Sequence, residues 1–332
     1  MGKLQNTFSW SHSAASDFEL CRRKRYWSKY AAWGGWERNA GAECRTAYRL
    51  NKMDNRFSVQ GTVAEAAVMW MLRQQQAGLP VTEAAAWEQV AKGMLRQCWD
   101  ASTGKAWARH PKACCLHEHY YPDLHDLSER EMMVQVADNV KACLKNFRED
   151  VLPRLADVRP EMEVPITVVG QGDPEHFVFE GVKIYAIPDY VFRRGETRHG
   201  ETWHIWDWKS GRAKPEHAEQ VALYALWAKV KHGIPPERVL LSLEYLQSGE
   251  HLELAVTNAD LERVVERIRD SVQDMSQYLV AADTARNQAM PKAEWDLCFD
   301  PALCRRCAFY ELCAPELAGL LEEEPLNDPE VD

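Results

Sequence analysis

The spacing of apolar and polar residues divides the chain into a helical first half and a strand-rich second half. In residues 11–33, "SHSAASDFELCRRKRYWSKYAAW", Ser11 or Ser13 can cap a helix whose apolar face takes in Phe18, Tyr26 and Tyr30. "GTVAEAAVMWMLRQQQAG" (61–78) packs strong helix formers between two glycines, which predicts a helix entered at Gly61 and stopped at Gly78. Residues 82 to about 150 stay mostly helical around a histidine-rich loop, "HPKACCLHEHYYPDLHD". After "LPRLADVRP" the period changes. "EMEVPITVVG", "HFVFEGVKIYAIPDYVFRR" and "TWHIWDWKSG" read as β-rich runs separated by turns. A helix follows in "PEHAEQVALYALWAKVKHG", with proline at its start and glycine at its end. Two more strands, "RVLLSLEYL" and "HLELAVT", lead into the amphipathic helix "NADLERVVERIRDSVQDMSQYLVAAD". This order predicts a mixed α/β domain with an N-terminal helical layer.

Composition adds bounds. A chain of 332 residues, 46% apolar with 13 tryptophans, can bury a sizeable core. It holds no run of about 18 apolar residues, and its first 20 residues lack a continuous apolar segment, so the expected location is the cytoplasm. The ten cysteines are then expected as reduced thiols, and clustered ones as metal ligands. A net charge of −10 argues against coating nucleic acid by bulk electrostatics, but "CRRKRYWSKY" (21–30) forms a local basic and aromatic patch. Part of the negative charge lies in the final "LLEEEPLNDPEVD", expected as a solvated tail. No phosphate-binding GxxxxGK[ST] loop is present, so the chain carries no nucleotide-driven motor of that type. The organisation expected is a helical region over 1–160, an α/β core over 161–283, a cysteine segment over 284–318 and the tail over 319–332.

The candidate chemistry centres on "HIWDWKSG" (204–211). Period-two geometry puts Asp207 and Lys209 on the same face of a strand otherwise built for burial. Asp189 interrupts the apolar run "KIYAIPDYVF" 18 residues earlier, the right distance for an antiparallel partner strand. Two buried carboxylates repel each other and tolerate ionisation best beside a divalent cation, which oxygen ligands suit. Lys209, one step further, can then position or activate a water. An ordinary salt-bridged pair is the plainer alternative for Asp207 and Lys209.

These residues resemble the PD-(D/E)XK nuclease superfamily: "IPD" (187–189) and "DWK" (207–209) match its motif in the expected strand and helix order. Gln220 and Tyr224, one helical turn apart in "EQVALYALWA", resemble the Q-x-x-x-Y motif of the RecB-like branch. Where that branch has a histidine metal ligand, "GTVAE" places Glu65, itself a competent oxygen ligand or else a solvated helix residue. The resemblance implies a restriction-endonuclease-like core, a mixed central sheet flanked by helices, with Glu65, Asp189 and Asp207 holding Mg²⁺ or Mn²⁺. It also assigns Lys209, Gln220 and Tyr224 to the catalytic machinery.

Near the C-terminus, Cys304, Cys307 and Cys313 form C-x2-C-x5-C. The triplet resembles that of RecB-like iron–sulfur nucleases, including the CRISPR-associated exonucleases, whose fourth thiolate lies far upstream; here that residue is Cys21. The implied group is a [4Fe-4S] cluster on Cys21, Cys304, Cys307 and Cys313, fastening the two ends of the chain together. A zinc ion using Cys298 in place of Cys21 is the competing possibility. Cys44, Cys98 and Cys143 read as small core residues, and the histidine-rich loop as a polar cover over the site. The resemblance implies a metal-dependent DNase acting on single strands or DNA ends, with Arg22, Arg23, Lys24 and Arg25 contacting phosphates. Its partners would be a helicase, a CRISPR adaptation complex or a phage-defence system. The alternative is a catalytically weakened DNA-binding or assembly subunit, and an RNA substrate stays open.

Overall fold

The computed structural model describes residues 4–195 and 200–317. The expected tail over 319–332 lies outside them. The chain begins with the short strand β1 (Ser9–Trp10), then α1 (His12–Leu20) and the single turn α2 (Arg22–Arg25). The long helix expected there is broken at Cys21, whose extended backbone (φ −159°) separates the two. A helical layer follows: α3 (Ala42–Leu50), α4 (Arg56–Gln76), α5 (Glu83–Ala86), α6 (Lys92–Thr103), α7 (His117–Tyr120) and α8 (Glu129–Asn146).

Strands β2 (His176–Phe179), β3 (Val182–Tyr185), β4 (Tyr190–Arg194) and β5 (Thr202–Lys209) come next, then helix α9 (Pro215–His232). The sequence continues with β6 (Val239–Tyr245), β7 (Glu250–Ala255) and α10 (Asn258–Ser276), and closes with the short helices α11 (Pro301–Arg305) and α12 (Tyr310–Cys313).

Two expectations about the elements need correction. Helix α4 starts at Arg56 rather than Gly61, because Asn55 accepts from the Phe57 and Ser58 amides while Ser58 returns a bond to the Asn55 N–H. Gly61 therefore lies inside the helix. "EMEVPITVVG" forms no strand; Glu163 makes one isolated bridge to Phe192, and Pro165 has no N–H for a ladder.

The strands divide between two sheets rather than forming one. β2 and β3 turn through Glu180 (φ +48°) and Gly181 (φ +79°), a pair of left-handed residues suited to a tight hairpin. They join β1 in a sheet of order β1-β3-β2, with β1 parallel to β3. The larger sheet has order β4-β5-β6-β7, with β5 and β6 parallel and the other pairs antiparallel. Helix α9 is the crossover that parallel pairing of β5 and β6 requires. Between β3 and β4 the chain at 186–189 leaves the ladder, and Pro188 there cannot donate to one.

Strand β5 separates two cores by simple alternation. Trp203 and Ile205 pack with Leu223 and Trp227 of α9 and Ile268 of α10. Trp206 and Trp208 pack on the opposite face with Val63 and Ala67 of α4 and Val140 of α8. Asp207 and Lys209 share the α9 side by the same period. A third core joins the termini: Trp27 and Leu50 pack with Cys304, Phe309 and Leu317.

Cys143 is buried as expected and Cys44 is half-exposed. Cys98, however, is disulfide-bonded to Cys114, with Cα atoms 5.1 Å apart, which corrects both its reading as a core thiol and the expectation of thiols throughout. The histidine-rich loop braces the C-terminal segment instead of covering the site. Tyr120 donates to Glu311 at 2.9 Å and Tyr121 to the Ala308 carbonyl at 3.1 Å. Among the described residues, no helix is long and apolar enough to cross a membrane.

Candidate active site

The register of the β4–β5 pair brings the carboxylates together. The last ladder pair is Tyr190 with Trp206, so Asp189, in the bend before β4, continues across from Asp207. Asp189 Oδ2 accepts the Trp208 N–H at 2.6 Å, which locks it to the partner strand. Asp207 is only 2% exposed.

A closed circuit of polar contacts surrounds Asp207. The Lys209 ammonium lies 2.6 Å from Asp207 Oδ2 and donates to Gln220 Oε1 at 2.9 Å. Gln220 Nε2 donates to the Tyr224 hydroxyl at 3.3 Å, and that hydroxyl donates to Asp207 Oδ1 at 2.9 Å, with the Ile187 carbonyl 3.2 Å away. Gln220 and Tyr224 reach this point because residues i and i+4 of α9 share a face. Four side chains read from sequence as one set therefore meet in space.

Glu65 enters the same cleft from α4. The cavity, about 190 Å³, lies between Gly61 and Glu65 on one side and Asp189, Asp207 and Lys209 on the other, with Gln220 and Tyr224 at its back. Burial, then Asp207, then Glu65 push the Asp189 carboxyl well above its usual range. The Glu65 carboxyl is raised by its crowded surroundings and then by Asp207, although its side chain stays open to solvent at the cleft mouth. Each carboxylate thus raises the cost of ionising another, the situation a divalent cation relieves.

As arranged, no three His, Cys, Asp or Glu side chains among the described residues form a finished metal cage. The donor set nevertheless fits a hard cation. Three carboxylates face one cleft, and Asp207 Oδ2 is buried with no hydrogen-bond donor of good geometry, only the close Lys209 ammonium.

Two contacts at this site had no signal in the sequence. Gln60 donates to the Ser210 carbonyl at 2.7 Å and accepts from Asn139 at 2.9 Å, which ties the loop after Lys209 to α4 and α8. Such an amide chain has no period or motif to betray it. Gly61 did have a signal, a glycine among strong helix formers: a Cβ there would lie 3.3 Å from Ser210 Oγ.

A second cavity, about 160 Å³, gathers five cysteines: Cys21, Cys298, Cys304, Cys307 and Cys313, beside Lys24 and Trp27. Cys298 and Cys304 sulfurs are 3.6 Å apart, and Trp27 Nε1 donates to Cys313 Sγ at 3.2 Å. Burial raises the thiols of Cys21, Cys304 and Cys313 and pushes Cys307 up to about 12. Buried thiols of this kind ionise readily only with a metal centre or cation beside them. The four cysteines of the expected cluster and the rival Cys298 all line this one cavity.

Within the basic run, Arg23 and Arg25 depart from expectation. Arg23 and Arg25 are buried braces: Arg23 donates to the Trp295 carbonyl at 2.8 Å and pairs with Glu316, and Arg25 donates to the Ser9 carbonyl at 3.1 Å. Lys24 pairs with Asp17 at 2.6 Å, and Arg22 donates to the Glu19 carbonyl at 3.1 Å. Arg23 and Arg25 are thus buried at the junction of the termini.

Comparison with curated proteins gives no match. The family model of the PD-(D/E)XK nuclease superfamily matches residues 9–314, nearly the whole chain, with every strand and the three cleft carboxylates inside it. With that match and this cleft together, the chain belongs to the PD-(D/E)XK nuclease superfamily, whose members are typically metal-dependent nucleases.

Proposed function

We propose that the protein is a metal-dependent deoxyribonuclease of the RecB-like branch that hydrolyses phosphodiester bonds in single-stranded DNA or at DNA ends. The observation that carries this reading is the Asp189–Asp207 pair with Lys209 held beside it by Gln220 and Tyr224. Glu65 supports it further. Because it lines the same cleft, the replacement of the branch's histidine still leaves a third carboxylate there, which supports catalysis over a retired site.

A divalent cation held by Glu65, Asp189 and Asp207 would supply Lewis-acid polarisation of the scissile phosphate and a more acidic attacking water. The chain's own residues do the rest. Tyr224 and the Trp208 amide fix the two aspartates, so their oxygens need no rearrangement as charge develops. Gln220 aims the Lys209 ammonium, which orients the attacking water and balances negative charge growing on the phosphate. The water oxygen bonds to phosphorus as the bond to the 3′-oxygen breaks, leaving a 5′-phosphate and a 3′-hydroxyl.

The cysteine cavity supports a [4Fe-4S] cluster on Cys21, Cys304, Cys307 and Cys313 as a structural fastener between the two ends of the chain. A local zinc site with Cys298 is the competitor, favoured by the approach of Cys298 to Cys304. Anaerobic purification decides between them: brown protein with iron and acid-labile sulfide supports the cluster, whereas colourless protein with one zinc sinks it.

The activity is tested by incubating end-labelled single- and double-stranded DNA with the protein and Mg²⁺ or Mn²⁺, beside Lys209→Ala. Metal-dependent cleavage that falls at least about 100-fold in the variant is the expected result. Absence of cleavage by the unaltered protein with both metals overturns the reading.

A further inference from the structure

Helix α4 presents to the cleft a stripe formed by Gly61 and Glu65, and the residue that continues this stripe one turn earlier is Phe57. Phe57 is 56% exposed, so its ring is open to a partner. The ring is also held: the Arg56 guanidinium lies 4.7 Å from its centroid in a cation–π contact. Eight residues separate Phe57 from Glu65, about 12 Å along the helix axis.

The loop beside this helix carries basic residues. The loop that follows Lys209 is seated on α4 through the bond from Gln60 to the Ser210 carbonyl at 2.7 Å. That loop carries Arg212 and Lys214, both exposed. An exposed, braced ring therefore lies on the helix face that leads to the carboxylate cleft, and the loop seated on the same helix brings side chains of the charge that phosphates attract.

We propose that Phe57 is a stacking platform for a base of an unpaired nucleic-acid strand entering the cleft, with Arg212 and Lys214 on its phosphates. The inference rests on the nuclease reading and adds a substrate preference to it. Bases within a duplex have their faces covered by neighbouring pairs, so only an unpaired strand can offer one to the ring. Phosphate contact by the loop draws either form, whereas the ring selects the single strand.

The test measures binding separately from cleavage. Fluorescence anisotropy with Ca²⁺ in place of Mg²⁺ gives the affinity of the full chain for a labelled single-stranded oligonucleotide and for its duplex. Phe57→Ala is expected to weaken single-strand binding about tenfold and duplex binding much less, while Phe57→Trp keeps the affinity. Abasic sites walked along the strand should reveal one position at which loss of the base weakens the unaltered protein but not Phe57→Ala. Equal single-strand affinity in the unaltered protein and Phe57→Ala overturns the proposal, as does an unaltered protein that fails to bind the strand. A Mg²⁺ cleavage assay in parallel keeps the two readings apart, because binding that depends on Phe57 without cleavage refutes the catalytic reading alone.

Discussion

Asp207 Oδ1 accepts from the Tyr224 hydroxyl at 2.9 Å, while Oδ2 has only the Lys209 ammonium, 2.6 Å away, beside it. The first of these contacts can be removed with little loss of volume. Tyr224→Phe takes away one donor to a buried carboxylate and frees Gln220 Nε2 as well, yet it keeps the ring packed between α9 and the sheet. A hydrogen bond to a charged group is worth about 1.5–3 kcal/mol. If Asp207 must stay aimed for catalysis, kcat should fall about tenfold or more while KM changes little; an unchanged kcat in steady-state cleavage assays would place Tyr224 outside the machinery. The aspartates and Lys209 were legible because strand period and the cost of burying charge are local properties of the sequence. The Lys209–Gln220 contact was not, since it depends on how closely α9 crosses β5. Arg23 and Arg25 misled for a related reason: four basic residues in a row look like a phosphate grip until a helical turn points alternate ones at Trp295 and Ser9.

Helix α4 shows what an element contributes that its residues alone do not. It delivers Gly61 and Glu65 to the cleft while its other face, Val63, Ala67 and Met71, packs in the core under Trp206 and Trp208. Its start is set by the reciprocal Asn55–Ser58 bonds, and sequence reading placed it five residues late because it treated Gly61 as a boundary. Asparagine, unlike glycine, both caps a helix and satisfies its first amides, so the stronger signal lay upstream. Asn55→Ala should cost about 1 kcal/mol, read as a lower urea midpoint with an unchanged slope. Cleavage at saturating metal should persist, because the loss is at the helix end and not at Glu65; a collapse of activity without loss of stability would mean the cap positions Glu65 directly. The split of the strands into two sheets was equally hidden. Apolar alternation marks a strand but not its partner, and the departure at 186–189 that sets Asp189 in its bend depends on pairing far along the chain.

At the scale of the whole molecule, the two faces of the sheet and the junction of the termini each bury groups whose titration opposes unfolding in different directions. His204 stacks flat on Phe192, its ring centroid 4.9 Å away, and burial followed by the nearby Arg194 holds it down to about 4. His117, hydrogen-bonded to His125 at 2.8 Å, is likewise held down to about 4, first by burial and then by His125. An unfolded histidine titrates near 6.5. As pH falls from about 6.5 towards 4, the unfolded chain takes up protons that the folded chain refuses, so the stability these two histidines allow at neutral pH is progressively lost across that window. Asp189 and Glu65 act with the opposite sign, because their raised carboxyls bind protons more tightly when folded and so gain stability as pH falls. The histidine contribution is isolated by comparison with His204→Phe, which preserves an aromatic stack on Phe192 but cannot titrate. Urea unfolding at pH 7 and pH 5 should show the unaltered protein losing more stability on acidification than the variant, with the carboxylates contributing equally to both. Equal losses in the two proteins would mean that His204 is already solvated enough to protonate in the folded state, and the packing of β4 against β5 would have to be looser than their register implies.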